Sequence, residues 1–114
     1  MIEEAYVSFE VAKLLKEKGF KEECSYRYVE EPDYKTPKFV CSPIGNGSKY
    51  LYNAPTHQMA MRWLREVHDI KIMIRPYIDG TYSYEILNGF WYVNFDSYED
   101  ATEEAIKYCL EYLI

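Results

Sequence analysis

Residues 70–95 limit what this chain can fold into more than any other stretch. Ile70, Ile72 and Ile74 alternate with Lys71, Met73 and Arg75, the two-residue period of a half-buried strand. After Asp79-Gly80, Tyr82, Tyr84 and Ile86 alternate with Thr81, Ser83 and Glu85. After Asn88-Gly89, Trp91, Val93 and Phe95 alternate with Phe90, Tyr92 and Asn94. Asp-Gly and Asn-Gly between alternating runs are strong hairpin signals. The stretch predicts a three-stranded antiparallel meander.

The apolar faces then set the register, because a one-residue slip turns every side chain to the other face. A two-residue Asp79-Gly80 turn would oppose Ile74 to Glu85 and mix the faces. A three-residue loop, Ile78-Asp79-Gly80 with Gly80 at positive φ, opposes Ile74 to Tyr84 and Ile72 to Ile86, and is the expected one. A two-residue Asn88-Gly89 turn pairs Leu87 with Phe90 and opposes Ile86 to Trp91, Tyr84 to Val93 and Tyr82 to Phe95. Pro76 has no amide hydrogen, which suits an edge or bulged strand.

Three helices flank the strands. Ser8 caps the first, whose apolar stripe is Val11, Ala12, Leu14 and Leu15, and Gly19-Phe20 predicts a Schellman ending on Leu15. Strand-like alternation from Cys24 to Val29 follows where a helix-turn-helix would need its recognition helix. Residues 30–37 form a connection, 39–41 a short strand, 43–48 a turn, and 49–53 another strand with Tyr50 and Tyr52 on one side. Gly45-Asn46-Gly47 lacks the Gly-Lys-Ser/Thr of a phosphate loop. Thr56 caps the second helix, His57 to His68, with Ala60, Trp63, Leu64 and Val67 as its core stripe and with Arg62–Glu66 and Arg65–Asp69 as i,i+4 pairs. Ser97 and Asp100 open the third helix. Its stripe is Ala101, Ala105, Ile106, Cys109, Tyr112 and Leu113, and Glu103 is spaced to pair with Lys107.

The order is α-βββ-α-βββ-α, an α+β fold expected as a single domain over 1–114. Tyr50 to Thr56 echoes Trp91 to Ser97, suggesting two βββα-like units at 24–69 and 70–114. A length of 114 residues suffices for one core. There is no long apolar run, and the acidic N-terminus is not that of a signal peptide, so a cytoplasmic setting is expected. Cys24, Cys41 and Cys109 are far apart and fit reduced thiols. The spacing suits no zinc site, and His57 and His68 stand about 16 Å apart along a helix, too far to share a metal. No metal or cofactor is expected.

Val7 to Phe20, Ala54 to His68 and Phe95 to Ile114 together resemble a group of small proteins from Bacteroides-type gut bacteria and their phages and mobile elements. The group has no assigned activity, so the resemblance implies a host setting and no catalytic residue.

Three kinds of function are weighed. The first is a non-enzymatic interaction or accessory protein, of prophage or mobile-element type, that binds a protein partner or a second copy of itself. Its surface would be the second face of the meander, with Met73, Arg75, Tyr77, Glu85, Phe90 and Tyr92, provided no helix covers that face. Thirteen tyrosines fit either such a surface or the covering of the sheets. The second is nucleic-acid binding through Arg62, Arg65, Lys71 and Arg75, which a net charge of −6 disfavours. The third is an enzyme, for which His57 or His68 would have to meet a cysteine or carboxylate in a polar pocket. The first is the expectation.

Overall fold

A computed structural model describes residues 2–41, 50–87 and 89–114. The elements are α1 (Phe9–Glu17), β1 (Tyr26–Val29), β2 (Lys38–Cys41), β3 (Leu51–Asn53), α2 (His57–His68), β4 (Ile72–Pro76), β5 (Tyr82–Ile86), β6 (Phe90–Phe95) and α3 (Tyr98–Tyr112). The α+β order matches the one the sequence predicts. It is built as two three-stranded antiparallel sheets, β2-β1-β3 and β4-β5-β6.

Each helix starts where a hydroxyl accepts an otherwise unpaired amide. Ser8 accepts from Val11, Thr56 from Met59, and Ser97 from Asp100. α1 ends as its sequence requires. Gly19 takes φ +92, its amide donates to the Lys16 carbonyl, and the Phe20 amide donates to the Leu15 carbonyl at 2.9 Å. The Phe20 ring is thereby buried edge-on against Trp63. α2 ends at His68 as expected, but the expected Arg65–Asp69 pair does not form. Asp69 is left-handed, with φ +55, and its carboxylate accepts from Lys71 at 2.9 Å instead of pairing with Arg65.

The first hairpin of the second sheet has the predicted register. Ile72 pairs with Ile86 and Ile74 with Tyr84. The loop is the three-residue one: the Tyr77 amide reaches the Thr81 carbonyl, and Gly80, at φ +90, donates back to the Tyr77 carbonyl. β4 is an edge strand. In an antiparallel ladder alternate residues face the partner strand. Tyr77 faces β5, so Pro76 faces the open edge and its missing N–H costs no ladder bond.

The second hairpin departs from the sequence reading. Ile86 pairs with Phe90, Glu85 with Trp91 and Tyr84 with Tyr92. Asn88 lies outside the described residues. Gly89 has φ +104 and donates to the Ile86 carbonyl, as Gly80 does to Tyr77. The connection is therefore one residue longer than the two-residue turn. A bulge between Val93 and Phe95, with Asn94 at φ +71, takes up the slip, so that Tyr82 still meets Phe95. Trp91 and Val93 consequently stand on the outer face, and Tyr92 stands on the face toward α3.

In the first sheet β1 lies between β2 and β3. The turn read into 43–48 is outside the described residues, but the strands it links are not hairpin partners. The two halves of the chain thus share element order and not strand order, which limits the echo between 24–69 and 70–114. The aromatic face of this sheet is covered by α1, with Phe9 edge-on to Tyr28 and Tyr52.

One cluster of buried residues joins both halves. α3 lies across Ile72, Ile74, Tyr84 and Ile86 with Ala105, Ile106, Cys109 and Leu110, while Val7, Val11, Leu15, Ala60 and Leu64 close the other side. Two stripe assignments change. Val67 is exposed. Tyr112 is exposed, and Thr102 and Leu110 are buried, because α3 packs against α1 and α2 as well as the sheet.

Candidate functional site

The outer face of the second sheet carries several exposed apolar side chains. Cross-strand pairing puts Met73, Glu85 and Trp91 in one row and Arg75 beside Ser83 in the next. Trp91 is 62% exposed, Tyr77 46%, Val93 42% and Met73 41%. Arg75 and Glu85 stand 3.7 Å apart between them, a surface pair of small energetic worth. Of the elements, α3 alone packs broadly on this sheet, and it does so on the opposite face.

Four of the six residues assigned to this face from sequence are there: Met73, Arg75, Tyr77 and Glu85. Tyr92 is not. Its ring lies 5.3 Å from that of Tyr84 and 5.9 Å from that of Tyr108, on the helix side. The side chain of Phe90 lies outside the described residues. Trp91 and Val93 were missed, because the slip at the second hairpin exchanges the faces of β6.

The four basic residues do not form an open cationic patch. The Arg62 Nε donates to Glu66 at 2.6 Å, Lys71 pairs with Asp69, and Arg75 faces Glu85. The carboxylates interleave with the bases, so the local field that would attract a phosphate chain is largely cancelled. Arg65 is exposed.

A polar junction unforeseen in the sequence joins the three helices. The Nε2 of His57 stands 2.8 Å from the Oε1 of Glu103. The Ser8 amide donates to the same carboxylate, at 3.2 and 3.3 Å from its two oxygens, and the Ser8 hydroxyl donates to it as well. Burial pushes the Glu103 carboxyl up, but the donors from His57 and Ser8 outweigh this and hold it below the usual carboxylate range. A carboxylate can only accept, so Nε2 carries the hydrogen. The Nδ1 of His57 is buried with no partner among the described residues. Tyr28 closes one side, its hydroxyl donating to the Val7 carbonyl at 2.7 Å. Burial, then the Glu103 charge, raises its phenol.

The chemistry of this junction is that of a clasp. In a nucleophilic triad the imidazole stands between carboxylate and hydroxyl and takes the hydroxyl proton. Here the carboxylate stands between, and the Ser8 hydroxyl gives its hydrogen to Glu103 while accepting from Val11. An open acidic cleft lies beside Glu103, lined by Asn94, Phe95, Asp96, Asp100 and Glu104, and His57 is not part of its wall. Among the described residues no three His, Cys, Asp or Glu side chains are grouped to hold a metal, and no helix is long and apolar enough to cross a membrane. Cys24 and Cys109 are pushed up to about 11 and about 12 by burial, while Cys41 is exposed.

No family model matches the chain, and neither a curated protein nor a solved structure is significantly similar to it.

Proposed function

We propose that this is a small non-enzymatic interaction protein that binds another protein chain through the second sheet. One observation carries the reading: among the described residues, the face opposite α3 exposes Met73, Tyr77, Trp91 and Val93 together. Aromatic and methionine side chains around a single charged pair make the composition typical of a binding surface: the aromatics bring large area at low rotamer cost, and methionine adapts its shape to the partner. The polar junction at Glu103 supports the same reading, because its carboxylate stands between donors from Ser8 and His57 and ties three helices together. The resemblance to proteins of Bacteroides-type bacteria and their mobile elements suggests an accessory role in the cytoplasm of such a host.

The test is affinity capture from Bacteroides extract with two baits, the natural chain and a Met73→Glu/Trp91→Lys variant of equal helicity. A protein held by the first bait and released by the second supports the assignment. Identical captures on both baits, or none on either, would overturn it.

A further inference from the structure

We infer that β6 is a self-pairing edge, through which two copies of the chain join their second sheets in one continuous antiparallel sheet. The inference rests on the reading of this sheet as an interaction surface and names the partner. β6 is the longest of the edge strands and is uncharged from Phe90 to Phe95. Natural edges are commonly blunted by charge, proline or brevity. β4 carries Arg75 and Pro76, and β3 is three residues long, with its Leu51 carbonyl taken by Lys16 at 2.8 Å. Trp91, Tyr92, Val93 and Asn94 are all exposed, although their side chains alternate between the two faces.

The free hydrogen-bonding groups can be assigned. Residues 81 and 87 exchange bonds with β4 and its extensions, so the odd residues of β5 face β4 and the even ones face β6. Tyr84 pairs with Tyr92, which turns the backbone groups of Tyr92 inward and those of Trp91 and Val93 to the open edge. A second β6 can meet them with Tyr92 on the two-fold axis. Trp91 then opposes Val93 of the other copy, and every outward N–H and C=O of these two residues finds a partner. The same register sets Trp against Val on the outer face, a favourable cross-strand pair, and Tyr against Tyr on the inner face. Tyr108 and Tyr112 extend that inner aromatic surface, with rings 5.0 Å apart. Two molecules of net charge −6 repel, and a strand without charges lets them meet with no like charges opposed at the contact. The bulge at Asn94 ends the pairing, so the interface is small, below about 1,200 Å², and association is weak and concentration-dependent.

Light scattering and sedimentation equilibrium from about 1 µM to 1 mM test this, a range that spans weak association. The expected result is a monomer that becomes a dimer across this range. Val93→Pro removes an edge N–H without touching the internal ladder, and symmetry removes it twice, so the dissociation constant should rise roughly tenfold or more. Trp91→Lys changes only an exposed side chain and should weaken the dimer while circular dichroism shows the fold retained. A monomer throughout the range overturns self-pairing while the capture experiment still decides the outer-face reading. A dimer whose dissociation constant is the same in both variants also overturns it, since another surface would then be responsible.

Discussion

The Nε2 of His57 and the Oε1 of Glu103 lie 2.8 Å apart, joining the first turn of α2 to the second turn of α3. The same carboxylate receives the amide at the N-cap of α1. One negative charge therefore sits at the positive starts of two helices, where the macrodipole favours it. Glu103→Gln should cost about 1–3 kcal/mol, the range for breaking charge-assisted, partly buried hydrogen bonds. Urea unfolding at pH 7 measures this, and an unchanged midpoint would show that the junction contributes nothing.

The pH dependence has a definite sign. The Glu103 carboxyl is held below its ordinary range in the folded protein, so the unfolded chain binds its proton first as pH falls. The stabilisation is complete above the ordinary carboxylate value of 4.5. It is lost as pH falls through that value and on through the lower folded one. Below the ordinary carboxylate value of 4.5, the stability difference between the natural chain and Glu103→Gln should therefore shrink as pH falls further. A difference that grows toward acid would contradict the assignment.

Two of the glycines make a sharper test of the hairpins. Gly80 and Gly89 have φ of +90 and +104, and a Cβ at either would meet nothing within 4 Å. Alanine there costs only the left-handed backbone, about 1–2 kcal/mol each. Gly80→Ala and Gly89→Ala should destabilise by similar amounts in thermal unfolding, since both close loops in the same way. A neutral Gly89→Ala would favour a different second turn.

These loops also show how far the sequence reaches. The first register was legible because charges mark one face of β4 and β5: Lys71, Arg75 and Glu85 exclude a one-residue slip, and the Asp79-Gly80 loop fixes which of the remaining pairings forms. The second was not, because Phe90-Trp91-Tyr92-Val93 is apolar throughout and either face could be the inner one. The deciding feature is the bulge at Asn94, a long-range compromise between the Gly89 loop and the Tyr82–Phe95 pair. The polar junction was hidden for another reason. Glu103 is spaced to pair with Lys107, but Lys107 reaches Glu10 at 2.9 Å across the α1–α3 contact. A signal existed in His57, which shares the helical stripe of the buried Ala60 and Leu64.

The thiols should separate cleanly. Cys109 is fully buried and Cys24 half-buried, both raised by burial, while Cys41 is exposed. Thiolate is the reactive form. One equivalent should therefore react quickly with a disulfide reagent at pH 8, Cys41→Ser should abolish that phase, Cys24 should follow slowly, and Cys109 should appear only on unfolding. Fast reaction of Cys109 would mean that α3 does not cover the second sheet as described.

The two tryptophans decide the face of β6 directly. Trp63 is 7% exposed and packs on Phe20, whereas Trp91 is 62% exposed. In the register read from sequence Trp91 would be as buried as Ile86, and in the observed one it stands in solvent opposite Glu85. Trp63→Phe leaves Trp91 as the sole indole, and dilute protein should then emit at long wavelength and be quenched readily by acrylamide. Trp91→Phe should do the reverse, with blue-shifted emission and weak quenching. Stability should follow the same division. Trp91→Phe should change it by no more than about 0.5 kcal/mol, as exposed sites do, while Tyr84→Ala, on the opposite face, should cost about 3–5 kcal/mol, the range for truncating a buried aromatic ring. A buried emission from Trp91 in dilute solution would restore the two-residue turn at Gly89, and with it remove both the outer-face surface and the pairing edge, because Trp91 and Val93 would then point into the core.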